Sequence, residues 1–450
     1  MYTVKQHTIL ADIITPILSY QRIRENYPIS ILFECSEYQK AQNSHSILVF
    51  DQLEFVEDGA ASFVDTIQEF KNGIQFDPES TQSSFNGIFG YSGYNAVSKM
   101  ETVKLNPNKD KIDIPAFHYG FFRFVLVFDH FNNTLNIIEN IREGESSKMS
   151  RILTLLQNST FHTQSFELIG EENSHTKDSD FLKNINVAKN HCQQGDVFQL
   201  VISQQFSQSF IGDEFNVYRT LRSLNPSPYL FFADFGSFKL FGSSPEAQVV
   251  VSDNKAEVHP IAGTYKNTGN VEIDKENILA LQQDAKENSE HVMLVDLARN
   301  DLSRHCTQVT IRSYKEVQQF SHVIHLVSKV VGDLLPNETA DHIFAHTFPA
   351  GTLSGAPKIN AMEIIDRLEN SSRSFYGGGI GYFSFGNDTN HAIIIRSFCS
   401  KDNKLYFQAG AGVVIDSVPA NELQEVSNKL GALRKALKEA TNIHKNTIVQ

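Results

Sequence analysis

Short apolar runs with period-two alternation dominate the chain from Ile31 to about Glu139. This alternation is typical of β-strands, in which successive side chains point to opposite faces. Residues 119–128 and 134–138 form two such runs, and the turn-favouring sequence Asp-His-Phe-Asn-Asn separates them at 129–133. The pattern predicts a β-hairpin inside a sheet-rich N-terminal half.

A polar stretch over residues 142–180 interrupts this pattern. Gly-Glu-Ser-Ser stands at 144–147, and residues 171–180 contain almost no apolar side chain. Such composition is typical of an exposed connection or a domain border. We therefore predict two domains, a sheet-rich N-terminal domain over residues 1–150 and a second domain over residues 180–440.

Residues 181–192 carry apolar side chains at helical spacing. Ser179 and Asp180 precede them and are suited to capping the start of a helix. Gly195 follows them and is suited to ending it, because glycine adopts the left-handed conformation that closes many helices. The pattern predicts one helix.

Strand patterns return immediately after this helix. The alternation over residues 197–206 predicts a strand on which Phe198, Leu200 and Ile202 share one face and Gln199 projects from the other. Four short apolar runs between Gly or Asp-Asn turns predict hairpin strands at residues 229–233, 237–241, 247–252 and 256–259. The tail, residues 420–441, predicts a helix. Strands joined by hairpins, with helices between them, predict an α+β fold with large antiparallel sheets.

Charge and cysteine usage narrow the classes of partner. The chain has 39 basic and 52 acidic residues, a formal net charge of −13, which disfavours nucleic acid and anionic membranes. Asp12 and Pro16 break the apolar start, so it predicts neither a secretory signal nor a membrane span. The four cysteines have no CxxC spacing and are typical of reduced thiols in an intracellular enzyme. We expect a cytoplasmic protein.

Two glycine-rich segments predict loops that bind a small anion. Residues 347–358 read Thr-Phe-Pro-Ala-Gly-Thr-Leu-Ser-Gly-Ala-Pro-Lys, with hydrogen-bond donors at Thr352, Ser354 and Lys358. Residues 408–412 read Gln-Ala-Gly-Ala-Gly. Glycine lets a backbone approach a ligand closely, and hydroxyl and ammonium groups bind carboxylates and phosphates. A surface turn with incidental polarity is the alternative for the first segment.

Two pairs of glutamates predict a cation site. Glu287 and Glu290 share a helix face at i, i+3 spacing, and Glu422 and Glu425 repeat it. Each pair alone also fits a solvated charged face. Beside two ligand loops, four carboxylates without a Cys/His cluster favour a hard ion such as Mg²⁺ over zinc.

Glu246 and His325 are candidates for acid–base chemistry. Glu246 follows Ser-Ser-Pro between two predicted strands, where it is either a turn residue or a general acid. His325 lies on a predicted strand, where a structural histidine is the alternative. Local pattern leaves both alternatives open.

The order of these motifs resembles that of the chorismate-utilising enzymes, and most closely the branch that makes anthranilate. The resemblance runs in order from about residue 181 to residue 437 and continues more weakly over residues 14–128. Its motifs are residues 243–246, 260–264, 287–301, 347–358, 376–378, 408–412 and 422–429. It implies that family's fold, a sandwich-like core of antiparallel sheet with helices outside, and a chorismate-binding catalytic domain over residues 180–440.

The resemblance also implies roles for residues. Glu290 and Glu425 would bind Mg²⁺ and Glu287 and Glu422 its waters, so that the ion chelates the ring carboxylate of chorismate. Glu246 would protonate the departing C4 hydroxyl, and His325 would assist the loss of pyruvate. Thr352 would contact the ring end. The enolpyruvyl carboxylate would be bound by Tyr376, Arg396, Lys429 and the amides at Gly410 and Gly412.

Two positions bear on the nucleophile. Relatives that add water carry a lysine base where this chain has Gln199, and many aminodeoxychorismate-forming relatives carry a lysine nucleophile where it has Ala262. A neutral amide cannot take a proton from water and a methyl group cannot attack, so we expect ammonia to add to C2. Aminodeoxychorismate formation is the alternative. The family receives ammonia from a separate glutamine amidotransferase subunit, and we expect that partner because we find no glutaminase segment.

A feedback site for tryptophan is the last implication. The family's site uses a Leu-Leu-Glu-Ser element with an Asn-Pro-Ser-Pro-Tyr loop. The loop stands at Asn225, Pro226, Ser227, Pro228 and Tyr229, while the first element reads Leu-Phe-Glu-Cys and ends in Glu34 and Cys35. A thiol is a weaker hydrogen-bonding group than a hydroxyl, so we expect weakened inhibition.

Overall fold

A computed structural model describes residues 1–35, 44–59, 61–80, 83–158, 163–319 and 323–443. Within these ranges twenty strands connect into one hydrogen-bonded sheet, accompanied by ten α-helices. The strands are β1 (Tyr2–Leu10), β2 (Ser30–Glu34), β3 (His45–Glu57), β4 (Gly87–Ser92), β5 (Phe117–Asp129), β6 (Thr134–Arg142), β7 (Phe166–Ser174), β8 (Gln199–Gly212), β9 (Tyr229–Asp234), β10 (Lys239–Ser244), β11 (Ala247–Ser252), β12 (Lys255–Val258), β13 (Ile261–Lys266), β14 (Cys306–Gln319), β15 (Val323–Leu334), β16 (Gly355–Ala356), β17 (Gly379–Ser384), β18 (Thr389–Ile393), β19 (Ser397–Lys401) and β20 (Lys404–Val413). The helices are α1 (Pro16–Ile23), α2 (Phe63–Gly73), α3 (Met149–Asn158), α4 (Asp178–Gln194), α5 (Phe215–Leu224), α6 (Val271–Gln283), α7 (Ala285–Ser303), α8 (Ala340–Thr347), α9 (Lys358–Leu368) and α10 (Pro419–Ala440).

The predicted α+β class with antiparallel sheet is confirmed, and the alternation around residue 125 gives the expected hairpin. β5 and β6 pair antiparallel from Phe124↔Glu139 to Asp129↔Thr134. Asp129 fixes the turn, because its Oδ1 accepts the amides of Phe131 and Asn132, both at 2.9 Å. Asn133 completes the turn with a φ of 52°, a left-handed conformation that asparagine tolerates.

The polar stretch over residues 142–180 contains regular structure. It holds α3 and β7, and β7 pairs with β8 from Phe166↔Gly212 to Ser174↔Phe206. Strands from either side of this stretch also pair, β2 with β9 and β4 with β17. The sheet therefore passes without interruption between the two predicted domains, whose division stays a prediction.

Helix α4 ends as predicted and begins earlier than predicted. Gly195 closes it at a φ of 83°, and the Asp196 amide bonds to the His191 carbonyl at 3.0 Å. The N-cap is Lys177, which makes no side-chain capping bond, so the expected cap at Ser179 and Asp180 was wrong. Both residues fall inside the first turn, where the carboxylates of Asp178 and Asp180 meet the positive end of the helix dipole.

The strands β8 and β20 form the floor on which the candidate site is built. They pair from Lys404↔Ser209 to Val413↔Leu200, and α10, in which Val426 and Leu430 are buried, packs on β20. Helix α7 packs against β13, β14 and β15. In the ranges given above, no helix is both long and apolar enough to cross a membrane.

Candidate active site

Glu246 is a buried carboxylic acid at the start of β11. Its Oε1 accepts a hydrogen bond of 2.9 Å from the hydroxyl of Thr352, on the short 3-10 turn Gly351–Leu353. Burial raises the pKa of Glu246 to about 8, although the Thr352 bond and the charges of Arg396 and Lys429 oppose the rise. Glu246 is therefore largely protonated at neutral pH and has a proton to donate.

Arg396 is a cation close to Glu246. Burial lowers the pKa of the Arg396 guanidinium, and the negative form of Glu246 partly offsets that effect. Among the described residues, the guanidinium makes no hydrogen bond or ion pair. Its backbone has a φ of 49° and its carbonyl accepts the Ser243 amide at 3.1 Å. A guanidinium that is half-buried and makes no ion pair is suited to binding a carboxylate.

Tyr376 and Lys429 both lie close to Gly410 of β20. Burial raises the pKa of the Tyr376 hydroxyl and the backbone at Gly410 opposes the rise, while the Gly410 carbonyl accepts the Lys429 ammonium at 2.9 Å. The same ammonium forms an ion pair of 2.8 Å with Glu425. Its positive charge, like that of Arg396, acts on both Glu246 and His325. The residues predicted to bind the two ends of an anionic substrate therefore lie in one place.

Gly412 allows two side chains to meet behind it. A Cβ at this position would lie 2.6 Å from the Nε2 of Gln199 and 3.6 Å from the Oε1 of Glu290. Those two atoms are joined by a hydrogen bond of 2.8 Å. Gln199 thus projects from β8 toward α7. Leu200 and Ile202 are buried together, but Phe198 precedes β8 and is 74% exposed, so its predicted place beside them was wrong.

The four glutamates lie on facing helices, Glu287 and Glu290 on α7 and Glu422 and Glu425 on α10. Burial, and next the charge of Glu290, raise the pKa of Glu287 to about 7. Burial raises the pKa of Glu422, and Glu425 adds to the rise. The nearest cation to Glu422 is Lys286, at 3.9 Å. In the described part of the chain, no three His, Cys, Asp or Glu side chains converge tightly enough to enclose a metal ion by themselves.

His325 is a buried neutral imidazole on β15. Its Nδ1 donates to the carbonyl of Gly263 at 2.7 Å, which leaves Nε2 as the basic nitrogen. Burial lowers the pKa of His325 to about 4. The ring is therefore uncharged at neutral pH and can accept a proton through Nε2.

Comparison with known proteins identifies the family. The model of a chorismate binding enzyme matches residues 20–435. The chain belongs to the chorismate-binding enzymes. It is 39% identical to anthranilate synthase component 1 of Acetivibrio thermocellus, over 79% of this chain and 76% of that protein. It is 35% identical to the Aquifex aeolicus protein of the same name, over 96% and 94%. The crystal structure of anthranilate synthase component I from Streptococcus pneumoniae TIGR4 superposes with a TM-score of 0.78 at 34% identity, over 95% of this chain and 99% of that one.

Lys358 and Ser354, two of the predicted ligand donors, bind groups of the protein itself. Lys358 Nζ pairs with Asp301 at 2.9 Å and donates to the Thr347 carbonyl at 3.0 Å. The Ser354 hydroxyl donates to the Ala350 carbonyl at 2.9 Å. Both side chains hold the 347–358 loop together, and of the three predicted donors only Thr352 reaches the buried acid.

The expected feedback residues lie on adjoining strands. Glu34 ends β2 opposite Leu230 of β9, next to Tyr229. The Glu34 carboxylate accepts the Tyr218 hydroxyl at 2.6 Å and the Arg222 Nε at 3.1 Å. Nearby, the Ser44 hydroxyl donates to the Cys35 sulfur at 3.4 Å. The Asn225 amide donates to the hydroxyls of Ser227 at 3.4 Å and Ser243 at 3.3 Å. Pro226 is exposed and Ser227 is buried.

Sequence reasoning missed one ion pair beneath the site. Arg373 and Glu369 are both buried and lie one helical turn apart in sequence, with Arg373 just before the Tyr-Gly-Gly motif. The signal available in the sequence was a single arginine in the small-residue stretch Ser-Ser-Arg-Ser-Phe-Tyr. Its partners are brought together only by tertiary structure.

Proposed function

We propose that this enzyme is an anthranilate synthase component 1, which joins ammonia to chorismate and releases pyruvate. The observation that carries the proposal is a buried protonated acid, Glu246, in a site where Gln199 and Ala262 replace the lysines of other branches. Gln199 is bound to Glu290, and Ala262 is buried on β13 opposite Leu326. Neither side chain can act as a base or nucleophile. The names of the relatives support the same activity.

The positive charges of Arg396 and Lys429 would bind the anionic substrate. Arg396 and Lys429, with the Tyr376 hydroxyl and the backbone at Gly410 and Gly412, would bind the enolpyruvyl carboxylate. Thr352 would contact the ring end while it holds Glu246 in place. Because the protein carries a net charge of −13, these local cations are needed to retain an anionic substrate.

The first half-reaction uses Glu246 as general acid. Ammonia forms a C–N bond at C2 of chorismate, the two ring double bonds move from C1=C2 and C5=C6 to C1=C6 and C4=C5, and the C4–O bond breaks. The departing hydroxyl takes the Glu246 proton and leaves as water. The new ammonium group at C2 loses a proton, which restores the charge balance and can return to the Glu246 carboxylate.

The second half-reaction uses His325 as base. Its neutral Nε2 removes the proton at C2, the ring becomes aromatic, and the bond from C3 to the enolpyruvyl oxygen breaks. The departing enolate takes up a proton, which the His325 imidazolium can supply, and becomes pyruvate. The low pKa of His325 keeps the ring available as a base and makes the imidazolium a strong acid.

The residues present fit Mg²⁺. Four carboxylates on two facing helices form a hard oxygen donor set, and the raised pKa of Glu287 reflects their mutual repulsion as well as burial. Mg²⁺ keeps several waters and needs few protein ligands, so Glu290 and Glu425 would bind it and Glu287 and Glu422 would hold its waters. When bound, the ion would neutralise the ring carboxylate of chorismate. Lys429 and Gln199, which contact Glu425 and Glu290, would orient the two ligands.

A glutaminase partner follows from the nucleophile. Ammonia is mostly protonated at neutral pH, and the ammonium ion has no lone pair with which to attack carbon. The name component 1, carried by the relatives, implies a second component. We propose that this partner is a glutamine amidotransferase that delivers the free base.

The test uses the full chain with chorismate, Mg²⁺ and an ammonium salt at alkaline pH. We expect anthranilate, seen by its fluorescence and mass, and one pyruvate per anthranilate in a coupled assay. Glutamine should replace ammonium only after a glutamine amidotransferase subunit is added. Turnover of glutamine by the chain alone would contradict the assignment of a separate partner.

The product also distinguishes the alternative. Aminodeoxychorismate retains the enolpyruvyl group, so its formation releases no pyruvate. A product of that mass without pyruvate would replace the proposed function with the folate-pathway activity. An isomer of chorismate formed without ammonia would show that water is the nucleophile.

A further inference from the structure

Arg373 is a fully buried cation whose hydrogen bonds lead to three parts of the candidate site. Its Nε and Nη2 bind the two oxygens of Glu369 at 2.9 and 2.8 Å. Its Nη1 donates to the Leu353 carbonyl at 2.5 Å, and Nη2 donates to the Val201 carbonyl at 2.7 Å. Only the planar fork of arginine can make these four bonds at once.

The two carbonyls belong to the segments that carry substrate contacts. Leu353 directly follows Thr352, whose hydroxyl holds Glu246. Val201 pairs with Gly412 across β8 and β20. The Arg373 guanidinium therefore connects the turn that carries Thr352 with the strand pair β8–β20 at Gly412.

Glu369 extends the same connection to Gly410. Its Oε1 accepts the Ser203 amide at 2.8 Å and the Ser203 hydroxyl at 2.6 Å. Ser203 pairs with Gly410, and its hydroxyl also accepts the Gln408 side chain at 2.8 Å. The carboxylate thus fixes β8 at the position opposite the glycine that contacts Tyr376 and Lys429.

Aromatic rings complete the surroundings of the guanidinium. The Arg373 Cζ lies 4.8 Å from the ring centre of Tyr94 and 5.8 Å from that of Tyr376. Tyr376 is also joined to Arg373 through its amide, which donates to the Arg373 carbonyl at 2.9 Å. Cation–π attraction is strongest where, as here, the cation is removed from water.

We propose that Arg373 is a positioning residue for chorismate, which sets the relative placement of Thr352, Tyr376 and the Gly410–Gly412 strand. The proposal rests on the proposed function. Arg373 lies beneath the substrate-binding atoms and acts through them. Replacing the guanidinium by the ammonium of lysine would keep the positive charge but lose the planar set of hydrogen-bond donors. The groups that bind the substrate would then be misplaced.

The chain offers a matched control in its N-terminal half. Arg123 is as buried as Arg373, with 1% of each side chain exposed, and its Nε and Nη2 bind the buried Glu139 at 3.1 and 3.0 Å. Its other partners are Glu145 and the Ser146 carbonyl. None of these residues touches the candidate site. A purely structural role predicts the same outcome for both arginines.

The experiment compares Arg373→Lys with Arg123→Lys in the full chain. Chorismate affinity is measured by calorimetry in the presence of Mg²⁺, and KM and kcat by the ammonium assay. We expect Arg373→Lys to weaken binding and raise KM by about tenfold or more while kcat stays within about threefold. Arg123→Lys should lower the unfolding temperature to a similar extent and leave binding and KM unchanged.

Equal effects of the two substitutions on binding, or no effect of Arg373→Lys, would overturn the proposal. If Arg373→Lys does not fold, Ser203→Ala decides, because it removes one bond to Glu369 and leaves the ion pair intact. We expect it to weaken chorismate binding by about three- to tenfold, and unchanged binding would reject the positioning role. Because calorimetry does not depend on the product, wild type that binds chorismate without making anthranilate would reject only the proposed function.

Discussion

The acidity of Glu246 results from its position at the strand start, where the protein removes it from water. An exposed glutamate is ionised at neutral pH and could not protonate a leaving hydroxyl. Burial favours the neutral form and raises the pKa to about 8, while the Thr352 hydrogen bond and the charges of Arg396 and Lys429 oppose the rise. The residue is thus acidic enough to donate its proton and basic enough to hold it at neutral pH.

Glu246→Gln removes the proton and keeps the shape of the side chain. We expect chorismate binding to persist and kcat to fall by about 10²- to 10⁴-fold, the usual contribution of general acid catalysis. Asp234→Asn is the control, because burial also raises the pKa of Asp234, to about 6, outside the site. Full activity in Glu246→Gln would remove Glu246 from the mechanism.

The pH dependence of kcat tests the same proton. A general acid works only while protonated, so activity should fall as pH rises through about 8, the pKa of Glu246. The hydrogen bond from Thr352 lowers that pKa. Thr352→Val should therefore move the alkaline limb of the profile to higher pH. A downward shift, or none, would mean that another group controls the limb. Free ammonia must be held constant across the pH series.

Helices α7 and α10 bring together carboxylates that are more than a hundred residues apart. Each helix presents its pair on one face because residues at i and i+3 are neighbours on a helix. The packing of α7 against β13 to β15, and of α10 on β20, sets the two faces opposite each other. The proposed Mg²⁺ would compensate the repulsion between the two pairs.

Glu425→Gln removes one proposed ligand and one negative charge. We expect chorismate binding to lose its dependence on Mg²⁺, measured by calorimetry with and without the ion. Glu439→Gln is the control, since Glu439 is paired with Lys435 on the same helix at 3.6 Å and lies outside the site. Retained Mg²⁺ dependence in Glu425→Gln would exclude this residue as a ligand.

The pairing of β2 with β9 brings Glu34 and the 225–229 loop together. If this junction binds tryptophan, Cys35→Ser should tighten inhibition by about three- to tenfold, since a neutral hydrogen bond is worth about 0.5–1.5 kcal/mol. Glu34→Gln should weaken it, because the ammonium group of the amino acid loses an anionic partner. Inhibition constants measured with chorismate and ammonium test both. No binding to any of the three forms would mean that the junction is structural.

The sheet runs through both predicted domains. The ladders β2–β9 and β4–β17 cross the predicted domain border. Residues 1–150 produced alone would expose β2 and β4 edges that the intact chain pairs, and such edges favour aggregation. We expect this fragment to be unfolded or aggregated by circular dichroism and light scattering. A soluble, cooperatively unfolding fragment would show that the predicted N-terminal domain is independent.

Local pattern determined the strands, the hairpin at 129–133, the end of α4 and the helix face of each glutamate pair, because these depend on side-chain periodicity and turn chemistry over a few residues. Motif order determined the family. The α4 start was missed because its N-cap, Lys177, makes no side-chain capping bond that a sequence signal could mark. Strand β7 was missed because most of its side chains are exposed and polar, so it lacks apolar alternation.

Tertiary structure alone decided the chemistry of the site. The pKa of Glu246 depends on burial and on Thr352, Arg396 and Lys429, which are at least 106 residues away in sequence. The pairing of Lys358 with Asp301, 57 residues away, turned an expected ligand contact into a loop support. The fork of Arg373 joins carbonyls 20 and 172 residues away. Desolvation and buried ion pairs arise between distant segments, so no local pattern encodes them.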